Sequence, residues 1–105
     1  VDLNAMSKIL YEAWGPEKSL QAFVHYPANT FPGQDKKLED NTHFNTYGAH
    51  EIARCIVQSI KDLQLPVAKY LKKDISVFDP SLPDAVENWY WPLSPLTAAI
   101  KPDGN

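Results

Sequence analysis

Asp40 and His43 are the pair of side chains whose types and spacing fit acid–base chemistry. They stand three residues apart in a polar stretch, so a turn would bring the carboxylate to the imidazole. In serine hydrolases a carboxylate fixes the tautomer of a histidine, whose other ring nitrogen takes the proton of a serine hydroxyl. Asp-x-x-His also occurs by chance, with the aspartate in a turn or cap and the histidine half-buried. The spacing alone leaves both interpretations open.

No nucleophile accompanies this pair in the sequence. A serine of this kind usually stands in a strand-to-helix turn with a recognisable pattern. No serine here follows a Gly-Asp pair or stands in such a turn; the candidates are Ser7, Ser19, Ser59, Ser76, Ser81 and Ser94. Cys55 lies off the predicted apolar stripe of its helix and is predicted to be a small, partly buried apolar residue rather than a nucleophile. We therefore expect these 105 residues to be inactive by themselves.

A metal site is a weaker alternative. His50 and Glu51 could join His43 as ligands, but no further His or Cys completes a recognisable zinc pattern. We predict neither a metal nor a cofactor. Asn45 and Thr46 are interpreted as helix N-cap residues, because the first amides of a helix need acceptors.

The aromatic residues have two interpretations. His25 and Tyr26 either contact a sugar or anchor the loop after Pro27, and the second role is favoured. The cluster from Trp89 to Trp91 either stacks on sugar rings or pins a Pro-rich segment to the folded body. Burial of large aromatic area is the commoner use, so pinning is favoured.

Two helices are predicted to hold these residues in place. The first runs from an N-cap at Asp2 to a stop at Gly15-Pro16. The second begins at Asn45 or Thr46 and continues to Leu65-Pro66. Its predicted apolar stripe, expected to pack against a sheet or another helix, is Ala49, Ile52, Ala53, Ile56, Ile60 and Leu63.

Little else in the sequence favours regular structure. Residues 22–26 are predicted to form one short buried strand or an extended connection, followed by a surface loop over residues 27–40. A short helical stretch at residues 67–72 precedes a Pro-rich extension, predicted to wrap over the body through its aromatics and Leu93 and to fray at residues 101–105. Two helices with one strand do not make an α/β domain, so an upstream part is expected. A small all-helical domain stays possible.

Composition excludes several classes of protein. The sequence has 10 Lys plus Arg against 13 Asp plus Glu, a net charge of −3, and no basic patch for nucleic acid. Its apolar stretches are far shorter than the ~20 residues that a membrane helix needs. No signal-sequence pattern opens these residues. We predict neither a nucleic-acid nor a membrane partner.

A longer run of sequence decides between the interpretations of Asp40 and His43. The residues Asp40-Asn41-Thr42-His43-Phe44-Asn45-Thr46-Tyr47-Gly48-Ala49 resemble the last conserved block of SGNH/GDSL hydrolases. The segments Val1-Asp2-Leu3-Asn4 and Phe23-Val24-His25-Tyr26-Pro27-Ala28-Asn29-Thr30-Phe31-Pro32 extend the likeness to rhamnogalacturonan acetylesterases. The resemblance covers roughly the first two thirds of the chain.

The resemblance implies a three-layer α/β/α, flavodoxin-like domain with a parallel sheet. Residues 1–65 would be its C-terminal portion, itself mainly helical with at most one or two short strands, and residues 66–105 an extension packed on it. Asp40 and His43 inherit the roles of orienter and general base. The family's Gly-Asp-Ser nucleophile block and the glycine and asparagine blocks of its oxyanion hole have no counterpart in these residues. No cofactor is implied.

Three hypotheses follow. The first is a carbohydrate esterase that deacetylates a plant cell-wall polysaccharide. Its location is expected to be secreted or periplasmic, because such a substrate lies outside the cytoplasm. The second is a non-catalytic protein-interaction module, and the third a carbohydrate-binding module that uses Trp89 to Trp91. Exposed apolar helix faces would favour self-association of the isolated chain.

Overall fold

The computed structural model describes residues 1–92. These residues form two α-helices, a two-stranded antiparallel sheet and short 3₁₀ turns. In chain order the elements are α1 (Leu3–Lys18), a 3₁₀ turn (Ser19–Ala22), β1 (Phe23–Tyr26), β2 (Leu38–Phe44), α2 (Thr46–Asp62) and two further 3₁₀ turns (Pro66–Tyr70 and Val86–Asn88). The prediction of a mainly helical chain with one or two short strands is confirmed.

Helix α1 begins as its sequence predicts and bends where it was expected to stop. The Asp2 carboxylate accepts a hydrogen bond from the Ala5 amide at 3.0 Å. Gly15 adopts φ 73°, outside the helical region, and Pro16 starts one more turn that reaches Lys18. Proline fits this position because the first residues of a helical segment have no intrahelical partner for their N–H.

The core lies between α1 and α2. Leu10 and Trp14 from α1 pack with Tyr47 and Cys55 from α2, and Phe78 closes one side. The Trp14 indole N–H donates to the Tyr47 hydroxyl at 3.0 Å, so the largest aromatic pair also satisfies its polar atoms. Cys55, predicted to be partly buried, is fully buried.

Strand β2 corrects the sequence-based prediction. A surface loop was expected up to residue 40, with Asp40 and His43 in it, whereas Leu38–Phe44 pairs with β1. The strand is mostly polar and lacks the alternation that marks a half-buried strand, so its backbone pairing with β1 determines its conformation. This sheet is antiparallel, and the described residues alone do not display the three-layer domain with a parallel sheet.

Helix α2 starts at the predicted cap but buries a different face. Asn45 accepts from the Gly48 amide at 3.0 Å. The helix ends at Asp62 with Leu63 as its C-cap, slightly before the predicted end. Its buried residues are Tyr47, Gly48, Glu51, Cys55 and Ser59, whereas the predicted stripe, from Ala49 to Leu63, is half-buried or exposed. Ile52 of the stripe still packs against the core, while Ala49, Ala53 and Leu63 are exposed.

The segment after α2 packs on the body through a few residues. Phe78 is buried, and Val86 and Trp89 contact the core. The stretch predicted as helical at residues 67–72 is the 3₁₀ turn Pro66–Tyr70. Leu93 and residues 101–105 lie outside the described part of the chain, and the division into residues 1–65 and 66–105 stays a prediction. Within residues 1–92, no helix is both long and apolar enough to cross a membrane.

Candidate active site

Asp40 and His43 contact each other directly. The Nδ1 atom of His43 lies 2.7 Å from Oδ2 of Asp40. The His43 side chain is 56% exposed, and that of Asp40 is 17% exposed. The carboxylate is thus largely covered while the imidazole reaches solvent, which is the arrangement that an orienter and a general base require.

The backbone explains how two residues on one strand can meet. Val24 pairs with Asp40, but its neighbour Phe23 pairs with Phe44, so residues 41–43 bulge out of the ladder. Asp40 Oδ1 closes this bulge by accepting from the amides of Thr42 at 2.6 Å and His43 at 2.9 Å. The predicted local turn is therefore present, as a bulge within β2.

These contacts also fix the charge of Asp40. Hydrogen bonds from the His43 amide, the Thr42 amide and the His43 ring lower the pKa of the Asp40 carboxyl from 3.8 to about 2. Donors to a carboxylate stabilise its ionised form. Asp40 is therefore an anion across the neutral range. An anion at this position favours the His43 tautomer with its proton on Nδ1, in which Nε2 would be free to accept a proton.

The depression around His43 contains no serine. It has a volume of about 530 Å³ and is lined by residues 37–43. Of the serines within residues 1–92, none lines it. A general base acts on a proton within about 2.6–3.2 Å, so any alcohol nucleophile that acted with His43 would have to come within that distance of Nε2.

His25 contributes a contact that the sequence did not indicate. Its Nε2 lies 2.6 Å from Oδ1 of Asn41, in the bulge between Asp40 and His43. The pairing of β1 with β2, which places His25 opposite Glu39, produces this contact. Tyr26 packs edge-on against Phe31, with ring centroids 5.0 Å apart, in keeping with its predicted role as a loop anchor.

Gln34 holds the loop between the strands and was also missed. Gln34 is buried, with a relative exposure of 5%. Its Nε2 donates to the carbonyls of Pro27 at 2.9 Å and Lys36 at 2.6 Å, and its Oε1 accepts from the Phe31 amide at 3.1 Å. These bonds fix the segment that leads into the Asp40 bulge.

An aromatic cleft lies beyond His25. We use this name for the open cleft of about 490 Å³ formed by β1, the start of α2 and the segment from Val86 to Trp91. Trp89 and Trp91 are nearly parallel, at 13°, with centroids 6.2 Å apart. The pinning predicted for Trp89 is confirmed, because it contacts the core; Trp91 is 55% exposed.

A charged cluster on the other side of α2 fixes the aromatic segment. Glu51 is fully buried, and its carboxylate accepts from the Asp84 amide at 3.1 Å. Arg54 forms a hydrogen-bonded ion pair with the Asp84 carboxylate. Burial is the main cause that raises the pKa of Glu51. His50 Nδ1 lies 3.3 Å from both Glu51 Oε1 and Trp89 Nε1, so its tautomer decides which of them it bonds.

This cluster is the nearest approach to a metal site among residues 1–92. Ligand atoms of His50, Glu51 and Asp84 lie within 4.8 Å of one another, and the group does not include His43. The Arg54 guanidinium already supplies a positive charge to both carboxylates. The residues present therefore form an ion-pair network, and we assign no metal to it.

The comparison with curated proteins confirms the resemblance found in the sequence. The chain is 44% identical over 71 residues to rhamnogalacturonan acetylesterase RhgT of Bacillus subtilis (strain 168). The match covers 68% of this chain and 31% of that relative. No protein-family model matches the chain, and no solved structure matches it. The chain is thus related to a family of carbohydrate esterases, and it spans about a third of the relative's length.

Proposed function

We propose that this chain supplies the Asp–His pair of a serine esterase that removes acetyl groups from a plant cell-wall polysaccharide. The 2.7 Å contact between His43 Nδ1 and Asp40 Oδ2, with the imidazole exposed, carries the proposal. Rhamnogalacturonan is proposed as the substrate because the relative is named as an acetylesterase of that polymer. Such a substrate lies outside the cytoplasm, so we also propose a secreted or periplasmic protein.

The proposal gives each side chain a role. A serine hydroxyl attacks the acetyl carbonyl as Nε2 of His43 takes its proton, and Asp40 stabilises the resulting imidazolium. The sugar oxygen leaves with the proton returned from His43, and the acetyl group remains on the serine. His43 then takes a proton from a water molecule, which attacks the acetyl-serine. As the bond to the serine oxygen breaks and acetate leaves, His43 returns that proton to the serine.

The serine is proposed to come from residues outside this sequence. No serine here fits the Gly-Asp-Ser pattern of SGNH/GDSL hydrolases, and the match covers only 31% of the relative. The stripe of α2 is also only partly covered: its three isoleucines are half-buried and Leu63 is 56% exposed. We infer that the sheet of a three-layer α/β/α domain covers this stripe in the longer protein. Without that sheet, the stripe would favour self-association of the isolated chain.

The proposal is tested by acetate release. The longer protein encoded around this sequence should hydrolyse a small aryl acetate and acetylated rhamnogalacturonan, and its His43→Ala variant should lose both activities. The 105-residue chain should be inactive on both substrates. A longer protein that is inactive on both, or that is indifferent to His43→Ala, would rule the esterase out.

A binding module without catalysis is the second candidate, favoured by the exposed aromatic side chains. Tyr90 is 80% exposed and Trp91 is 55% exposed. Such a module would bind sugar with an affinity that does not depend on His43, and neither the chain nor the longer protein would release acetate. The acetate assay therefore separates it from the esterase.

A further inference from the structure

Trp91 has an exposed aromatic face, and the rings of neighbouring residues support its indole. The side chain is 55% exposed, yet its ring lies nearly parallel to that of Trp89 and 5.8 Å from the ring of His50. Contact of a large apolar surface with water is unfavourable, so the free energy falls when a ligand covers that surface. A fixed indole face needs little ordering when a flat ligand binds to it.

The support behind Trp91 reaches into the core. Trp89 packs edge-on against Tyr47, with centroids 5.5 Å apart. The Tyr47 hydroxyl accepts from the Trp14 indole and donates to the Asp84 carbonyl at 2.6 Å. Asp84, at the start of the segment that carries the two tryptophans, and Trp89 are thus tied to Tyr47 of α2 and through it to Trp14 of α1. The stacking face is part of the folded body.

Polar side chains stand across the same cleft. Gln21, His25 and Thr46 line it together with the two tryptophans. Amides, imidazoles and hydroxyls exchange hydrogen bonds with sugar hydroxyls. An indole face beside such groups matches a pyranose ring, which has an apolar face of C–H groups and a polar edge. Binding sites commonly combine an apolar wall with a few polar groups in this way.

The cleft is connected to the proposed catalytic pair. His25, on its wall, bonds Asn41, and Asn41 lies in the bulge that carries Asp40 and His43. The His25 side chain thus links the wall of the cleft to the bulge that carries the catalytic pair. A volume of about 490 Å³ admits one or two sugar rings and leaves the polymer free to continue beyond.

We propose that the aromatic cleft is a subsite for a backbone sugar of the polysaccharide, with Trp91 as the stacking face and Gln21, His25 and Thr46 as hydrogen-bonding partners. The proposal rests on the proposed function for the identity of the polymer. It does not depend on catalysis, since His43 is not part of the cleft.

The test is calorimetric titration of the full 105-residue chain with deacetylated rhamnogalacturonan oligosaccharides. Trp91→Ala should weaken binding roughly tenfold, the size expected when an aromatic anchor is truncated. Tyr90→Ala is the matched control: this neighbour is 80% exposed but does not line the cleft, so its loss should leave the affinity unchanged. Gln21→Ala, which alters an exposed side chain and keeps the backbone, should weaken binding without disturbing the fold.

The subsite is overturned if the unmodified chain does not bind, or if Trp91→Ala and Gln21→Ala bind as tightly as Tyr90→Ala. His43→Ala should bind as the unmodified chain does. Acetate release that is indifferent to His43, combined with binding that depends on Trp91, would refute the esterase and leave the subsite standing. Acetate release that depends on His43, without any Trp91 effect on binding, would refute the subsite alone.

Discussion

Nδ1 of His43 lies 2.7 Å from Oδ2 of Asp40, while Oδ1 of the same carboxylate accepts the amides of Thr42 and His43. One side chain thus closes the bulge and orients the imidazole. The two functions are separable by substitution, because an amide in place of the carboxylate can still accept backbone bonds through its oxygen.

Asp40→Asn should keep the fold and lose activity. The new amide nitrogen would face Nδ1 of His43 and favour the tautomer with its proton on Nε2, so that the base is blocked. We expect kcat of the longer protein on an aryl acetate to fall by roughly 10³–10⁴-fold. Asp79→Asn is the matched control, since Asp79 closes a similar turn with Ser81 far from His43 in the chain. Equal activities of the two variants would refute the role of Asp40.

The lowered pKa of Asp40 predicts a pH dependence of stability. A carboxyl with a folded pKa of about 2, against an ordinary 3.8, binds its proton less tightly in the folded state. Its contribution to the unfolding free energy is therefore complete above pH 3.8 and is lost as the pH falls toward about 2. Urea titrations from pH 6 downward should show the difference between the unmodified chain and Asp40→Asn shrinking over that interval. A difference that stays constant would contradict the hydrogen bonding described for Asp40.

Gly48 should not tolerate a methyl group. A Cβ at this position would overlap the carbonyl oxygen of Ala22 and lie 2.9 Å from the ring of Phe44. Helix propensity alone favours Gly48→Ala by about 1 kcal/mol, but overpacking costs about 1–3 kcal/mol and should outweigh it. We expect a net loss in the free energy of unfolding, measured by urea denaturation. The control is Ala53→Gly, at an exposed site on the same helix, which should lose about 1 kcal/mol of unfolding free energy. A Gly48→Ala variant that is more stable than the unmodified chain would show that α2 does not approach Ala22 closely.

Two substitutions of Glu51 should separate the effect of its charge from the effect of its hydrogen bond. Glu51→Gln keeps an acceptor for the Asp84 amide, whereas Glu51→Ala leaves that amide without its acceptor and creates a cavity. The alanine variant should lose about 2–4 kcal/mol of unfolding free energy. Since burial raises the pKa of Glu51, the folded state binds this proton more tightly than the unfolded chain does.

The unmodified chain should therefore gain stability relative to Glu51→Gln as the pH falls through the folded pKa toward the ordinary 4.5. His50, Arg54 and Asp84 are the titratable or charged groups that contact this carboxylate or its partner. Urea denaturation at several pH values measures the effect. A Gln variant that loses as much stability as the Ala variant at every pH would contradict it.

Sequence patterns predicted the caps and most of the helices, because these depend on neighbouring residues. Asp2 and Asn45 cap as expected, and Gly15 breaks α1 where predicted. Strand β2 was not predicted, because its conformation depends on pairing with β1 across a loop fixed by Gln34. The polar strand sequence gives no two-residue period that would reveal that pairing.

The site was predictable in part for the same reason. Asp40 and His43 are local in sequence, so their spacing indicated the contact. Glu51 was not recognised as buried, because its partner Asp84 lies 33 residues further along the chain. The aromatic cleft likewise joins β1 with Trp89 and Trp91, and no local pattern predicts contacts across such a distance.

The tautomer of His43 in the 105-residue chain tests the central claim most directly, by ¹⁵N NMR of the three histidine rings above neutral pH. The account predicts that neutral His43 carries its proton on Nδ1, bonded to Asp40, and that this preference disappears in Asp40→Asn but not in Asp79→Asn. A neutral His43 protonated on Nε2, or one whose tautomer is indifferent to Asp40, would contradict the assignment of His43 as a base oriented by Asp40.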